Sequence, residues 1–286
     1  MAPQGERRLI VNADDLGITE GVNEAIIAAH ERGSVSSATL MVNQAATEHA
    51  AALAGQHPGL GVGLHFNLTL GRPVAESAVP SLTDGQGQLL SRKAFERRAL
   101  TGRIRGRDVA RELAAQAEAF RRLGLPMSHV DSHQHVHALP VVLRAVAGYC
   151  RGHGLPMRVP WVSGAAPGRS LRRRVREQGL QALLHYGLRR WGRDVQTNRG
   201  FTSVFDLAAE ADAVGEDTYR RLLARVRGDP VELMVHPARV DDRLQALIQI
   251  ASFGAAEGHL LQQLSLGALA GELGYRLISY RDLTPA

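Results

Sequence analysis

Apolar runs of strand length alternate with helix-patterned segments almost from end to end of this 286-residue chain, and no other feature restricts its fold as much. Such alternation is the pattern of βα units built around a parallel sheet. The spacing predicts strands at 8–13, 36–42, 61–67, 128–132, 157–161, 202–205, 232–235 and 276–279. Helices are predicted at 20–32, with Thr19 as N-cap and Gly33 as stop, and at 45–56, 108–123, 140–153, 216–227 and about 255–273. No linker, low-complexity stretch or sequence repeat interrupts these units. The expected architecture is therefore α/β: a single (β/α) barrel of seven or eight units, irregular or incompletely closed, with 1–286 as one domain. A long polar loop at 69–92, carrying Gly71, Pro73, Pro80, Gly85 and Gly87, has a length that usually covers a site.

Composition narrows the class of function. The single cysteine, Cys150, can form no internal disulfide and excludes a cysteine-based zinc site. The amino-terminal segment has only Leu9, Ile10 and Val11 as an apolar run, which fits neither a signal-peptide core nor a membrane span, so a cytoplasmic location is expected. Formal net charge is +6, and Lys93 is the only lysine. The basic excess is local: 169–193 holds eight arginines against one acid, Glu177. Arginines interleaved with aromatics, the pattern that stacks bases, are missing, so nucleic acid is not an expected partner.

The polar clusters fall just after predicted strands, at the face where barrels of this kind gather their active sites. In NADDLG, Asp14 and Asp15 follow an apolar run; adjacent carboxylates there repel unless a cation or hydrogen bonds compensate, so they suit a metal or acid/base role, against the alternative of helix capping. In GLHFNLT, His65 ends an apolar strand, where a lone histidine is usually a satisfied core residue. HVDSHQHVH places His129, His133, His135 and His137 with Asp131 within nine residues. Period-two spacing turns His129, Asp131 and His133 to one face, and the remaining imidazoles are free to orient ligands or contact substrate. In LMVHPAR, His236 ends a strand. One carboxylate and two imidazoles from these clusters would make a metal site with open positions, suited to hydrolysis or to oxygen chemistry at iron.

LIVNADDLG, VGLHFNLT, SHVDSHQHVH, LMVHPA, NRGFTSVF and the terminal SYRDL resemble, in order and spacing, the YdjC-like carbohydrate deacetylases, over roughly 8–160 and 198–283. The resemblance implies a deacetylase-type βα barrel that removes acetyl groups from N-acetylated amino sugars with one divalent metal. It implies Asp15, His65 and His133 as metal ligands, Asp14 as general base and His236 as catalytic acid. Imidazole donors favour zinc or another transition ion, whereas the resemblance admits magnesium. The sequence departs from the family at Leu16, where NADDFG is usual, and at about 161–197, an arginine-rich helical insertion relative to the short chitooligosaccharide enzymes.

Within that insertion Leu171, Val175, Leu180, Leu183, Leu184, Leu188 and Trp191 recur at mostly helical spacing, with Arg172, Arg173, Arg174, Arg176, Arg189 and Arg190 at the two ends. Two expectations follow. Either the apolar stripe packs on the barrel, or 170–192 makes a peripheral contact with the inner membrane face, Trp191 and the leucines at the interface, so as to reach a lipid-linked sugar. A homo-oligomer is compatible with both. The competing readings of the whole chain are a non-haem iron oxygenase using the same triad, a metal-dependent sugar isomerase, and a non-catalytic glycan-binding barrel.

Overall fold

The computed structural model describes residues 6–161 and 171–283; for residues 77, 171–177 and 180 the backbone alone is described. In chain order the elements are β1 (Arg7–Leu16), α1 (Glu20–Glu31), β2 (Ser37–Leu40), α2 (Thr47–Gln56), β3 (Gly61–Phe66), α3 (Arg92–Leu100), α4 (Gly106–Arg122), β4 (Val130–Ser132), α5 (Pro140–His153), α6 (Leu171–Trp191), β5 (Gly200–Ser203), α7 (Glu216–Arg225), β6 (Val231–Val235), α8 (Asp242–Leu247), α9 (Ala251–Leu261), α10 (Leu266–Glu272) and β7 (Tyr275–Ile278). Among the described residues these strands pair in parallel, in the order β4-β3-β2-β1-β6-β5. Thr19 caps α1 as expected, its side chain accepting from the Val22 amide.

The predicted strand at 157–161 is reduced to bridges, Val130 to Met157 and Met157 to Thr197. Pro156 and Pro160 flank it and have no N–H to give a ladder. Asn198 substitutes for the missing bonds: its Oδ1 accepts from the Val159 amide, while its Nδ2 donates to Val159 and Gly200 carbonyls. These bridges carry the pairing from β4 round to the strand that becomes β5, so the sheet closes irregularly. β7 is the other irregularity, pairing with the first half of β1 (Arg7 to Ile10), whereas β2 takes the second half.

Paired residues of neighbouring strands share a face, and the two faces differ sharply. Leu9, Val11, Ala13, Leu40, Val62, Leu64, Leu233 and Val235 belong to the main apolar core between sheet and helices. The opposite positions, Asn12, Ser37, Thr39, Gly61, Gly63, His65, Asp131 and Glu232, line the interior and are polar or small. Ile10, Ile278 and Tyr280 form a small separate apolar cluster there. A side chain at Gly63 would run into the His129 ring, which instead stacks on Tyr280 with centroids 3.9 Å apart.

The long loop after β3 is held by one face of α4. Gln116 exchanges hydrogen bonds with the Asn67 backbone, Glu112 accepts from the Val74 and Ala75 amides, and Asp108 accepts from the Ser81 amide. These residues recur every four positions, one stripe of the helix. α3 and α8 had no periodic signal and were not predicted, and the single helix expected at 255–273 is two. It breaks before Ser265, whose hydroxyl caps α10 by accepting from the Ala268 amide.

The segment read as an insertion contains α6, which lies along α5. Leu184 is buried, Leu188 and Trp191 pack against the main core, and Gly187 lies so close to Leu143 that a side chain there would collide with it. The apolar residues assigned to a membrane interface are thus turned to the barrel at these three positions. Leu183 and Tyr186 remain exposed, at 37% and 63%. Leu171, Val175, Leu180 and the cluster Arg172, Arg173, Arg174 and Arg176 lie outside the described side chains. No described helix is long and apolar enough to cross a membrane. Leu184→Ala is expected to lower unfolding free energy by about 2–5 kcal/mol, as for other buried leucines. Tyr186→Ala, at an exposed position, should stay within about 0.5 kcal/mol in the same urea titrations.

Candidate metal centre and its surroundings

On a regular strand Asp14 and Asp15 would point to opposite faces. The register between β1 and β2 shifts between Ala13 and Leu16, and Asp15 adopts φ 64°, a left-handed conformation that aspartate tolerates better than most residues. The kink turns both carboxylates into the mouth of the barrel, and both are buried. Leu16 beyond it is fully buried in the main core, so the departure from NADDFG is one of packing.

Asp15, His65 and His133 then converge: one donor atom of each lies within 4.8 Å of the others. The His133 Nδ1 is 2.8 Å and the His65 Nε2 3.3 Å from Asp15 Oδ1. The Nδ1 of His65 faces away, 2.7 Å from Asp131 Oδ1, which fixes the ring and leaves Nε2 toward the centre. Asp14, His65 and Asp131 form a second group with the same closeness, but its two carboxylates are already engaged by a guanidinium.

That guanidinium is Arg158, completely buried. Its Nη1 and Nη2 reach Asp14 Oδ2 and Oδ1 at 2.7 and 2.5 Å, its Nη1 also lies 2.6 Å from Asp131 Oδ2, and its Nε donates to Glu232 Oε1 at 2.7 Å. Glu232 in turn accepts from the Tyr280 hydroxyl at 2.5 Å. Burial pushes the Glu232 carboxyl up to about 7 in spite of Arg158 and Tyr280, so it shares a proton near neutrality. Against the upward push of burial, Arg158 and His65 hold the Asp131 carboxyl well below the usual range.

The donor set fits a divalent cation. It comprises one carboxylate, Asp15, and two imidazoles, His65 and His133, with the carboxylates of Asp14 and Asp131 close by. The local field agrees: burial alone would lower the His65 imidazole, yet Asp131, with Asp15 and Asp14, raises it to about 10, so the carboxylates favour positive charge at this point.

His236 closes the other side, its Nε2 3.9 Å from Asp14 Oδ2. Behind it stands Glu257 of α9, fully buried, whose Oε2 accepts from the His236 amide at 2.7 Å and lies 3.9 Å from the ring Nδ1. Glu257 Oε1 accepts from the Tyr219 hydroxyl at 2.6 Å. α9 comes this close because Gly254 and Gly258 face the turn after β6; a side chain at Gly258 would strike the Ala238 backbone.

The five residues singled out from sequence, Asp14, Asp15, His65, His133 and His236, thus gather at one mouth. His129, Asp131 and His133 do share the interior face, but His129 stacks on Tyr280 and stays clear of the candidate ligands. His137 is held by Ser132 and by the Arg158 carbonyl. Arg158, Glu232, Tyr280 and Glu257 were missed. A glutamate inside the apolar run VELMV was a usable signal for Glu232, and arginine between two prolines a weaker one for Arg158; nothing local marks Glu257. Arg158→Met, which removes the guanidinium that pairs Asp14, Asp131 and Glu232, should cost about 3–5 kcal/mol of stability at neutral pH. Asp131 has a depressed native pKa, so its contribution is present above the unfolded value near 4 and is lost as pH falls through the native one. The deficit of the variant, followed by thermal unfolding, should therefore shrink below about pH 4.

The sequence model of the family described as YdjC-like protein matches residues 8–264. A carbohydrate deacetylase of Geobacillus stearothermophilus is 38% identical over 279 residues, covering 96% of this chain and 98% of the relative. A chitooligosaccharide deacetylase of Yersinia pestis (strain Pestoides F) is 34% identical over 288 residues, covering 97% and 99%. Among solved structures, a protein of Enterococcus faecalis V583 described in terms of cellobiose-phosphate cleavage superposes with a TM-score of 0.79 at 27% identity, covering 98% of this chain and all of that one. With the barrel and its Asp/His cluster, these likenesses place the chain in the YdjC-like carbohydrate deacetylase family.

Proposed function

We propose that the protein is a metal-dependent N-deacetylase of amino sugars, with chitooligosaccharides as the first substrates to try. The observation that carries this reading is the meeting of Asp15, His65 and His133 at a barrel mouth flanked by Asp14 and His236. Asp15, His65 and His133 would hold one divalent ion, zinc or another transition ion ranking above magnesium because two donors are imidazoles. Bound there, the ion would supply Lewis acidity to water and to an acyl oxygen.

The remaining work falls to this chain's own groups. Asp14 Oδ1 accepts from both Arg158 and Asn12, whereas Oδ2 accepts from Arg158 alone and keeps a lone pair, so Oδ2 can take a proton from attacking water. His236 stands beside the same oxygen, with Glu257 behind its Nδ1, which suits it to deliver a proton from Nε2 to the departing amine. An amine leaves poorly until protonated, so amide hydrolysis needs both groups. An iron oxygenase reading of the same triad gives Asp14 and His236 no task, and oxygen-independent release of acetate would exclude it.

Acetate release from free, oligomeric, nucleotide-linked and lipid-linked N-acetylhexosamines, before and after metal stripping and readdition, tests the reading; no release from any of them would overturn it. Asp15→Ala, His65→Ala and His133→Ala should each lose bound metal, measured by elemental analysis. Asp14→Asn should retain metal and lose about 10² to 10⁴-fold in turnover. Substitution of His236 should depress amide turnover far more than that of an activated acetate ester, whose leaving group needs no proton; equal losses would reassign it.

A further inference from the structure

Glu232 lies within β6, on the interior face, opposite Ile10 of β1 and Phe201 of β5, and is fully buried. A carboxyl group among apolar neighbours needs compensation, and the candidate metal ligands do not provide it, since Glu232 belongs to neither group of donors placed to hold an ion. Its partners are Arg158 and Tyr280. Oε1 accepts from Arg158 Nε at 2.7 Å and lies 2.5 Å from Nη2, the same nitrogen that stands 2.5 Å from Asp14 Oδ1. Glu232 and the proposed base thus draw on one guanidinium from two sides.

The other oxygen of Glu232 is placed to gain and lose a proton. When the group is ionised, the Tyr280 hydroxyl donates to Oε2 at 2.5 Å. When it is protonated, Oε2 becomes the donor and the Tyr280 oxygen the acceptor, and the hydroxyl proton can turn to Asn198 Oδ1, 3.5 Å away. Both protonation states therefore keep their hydrogen bonds. Burial pushes the carboxyl up to about 7 against Arg158 and Tyr280, so both states are populated near neutrality. The titratable and charged groups that face it, directly or across the guanidinium, are Arg158, Asp14 of β1, Asp131 of β4 and Tyr280 after β7, with His129 stacked on the tyrosine.

We propose that Glu232 is a positioning residue for the proposed base, setting through the shared Arg158 guanidinium how strongly Asp14 draws a proton from water. The inference rests on the deacetylase reading and on Asp14 as its base. A negative charge on Glu232 divides the guanidinium among three carboxylates and leaves Asp14 the stronger base; a neutral Glu232 leaves the guanidinium to Asp14 and Asp131 and makes Asp14 the weaker one. A weaker general base is a slower one, so turnover rises as Glu232 loses its proton. Glu232 also holds the Nε side of the guanidinium, which keeps Nη1 and Nη2 aimed at the two oxygens of Asp14.

The pH dependence of kcat on N,N′-diacetylchitobiose tests it, in the unaltered protein and in Glu232→Gln, with metal content and melting temperature measured on the same preparations. Glutamine keeps the Oε1 acceptor and is neutral at every pH. The ratio of unaltered to variant kcat should therefore grow about three- to tenfold between about pH 5.5 and about pH 8.5, at equal metal content. Groups that titrate alike in both proteins cancel in that ratio. Tyr280→Phe keeps the ring that stacks on His129 and removes the donor that stabilises ionised Glu232, so the pH at which turnover rises should move upward. A ratio that does not change with pH, a rate that falls in step with lost metal, or a rise that stays put or moves downward in Tyr280→Phe would overturn the assignment. If the unaltered protein releases no acetate from any N-acetylated sugar, the deacetylase reading falls first and takes this inference with it; if it does and the ratio is flat, this inference alone falls.

Discussion

A guanidinium with no access to water must be surrounded by anions, and the interior of this barrel is arranged around that requirement. Arg158 gathers Asp14, Asp131 and Glu232 from three different strands. Through Asp14 it fixes the proposed base. Through Asp131 it fixes the carboxylate that aims His65. One buried charge therefore ties the position of the proposed base to that of a candidate metal ligand, and neither can shift without breaking an ion pair in a low-dielectric interior.

The same requirement explains why the strands carry their apolar residues on the outside. Helices cover the outer face and bury Leu9, Val11, Leu64 and Leu233 against themselves, so the interior is free to be polar. The interior glycine at 63 leaves width for the His129 ring and its stack on Tyr280. Strain is stored beside the candidate ligands, at Asp15 near the end of β1 and at Gln134 and His135 after β4. Departures from regular backbone at these positions aim side chains that a straight strand would send elsewhere.

Much of this was legible in the chain. Strand-length apolar runs are a period-two signal that survives any tertiary context in which one face is buried, and the predicted strands fall on observed ones except at 157–161. Histidines and aspartates at strand ends stand out because burying them needs compensation. The residues that compensate were harder to see. Glu257 reaches His236 from a helix 21 positions away, and Arg158 reaches Asp14 across 144. Such partners are chosen by proximity in the fold, on which local pattern is silent.

The sequence by itself determined the βα order, the strand-end placement of Asp14, Asp15, His65, His133 and His236, and the family, because hydrophobic period and motif spacing are properties of neighbours in the chain. Only the tertiary structure decided that Asp14 and Asp15 face the same centre, since a left-handed kink overrides strand alternation. It decided that Leu184, Leu188 and Trp191 pack on the barrel, because α5 offers an apolar face that a helical wheel cannot show. It also decided which imidazoles of HVDSHQHVH do what: a nitrogen's role is set by the atom it meets, and that atom belongs to another strand.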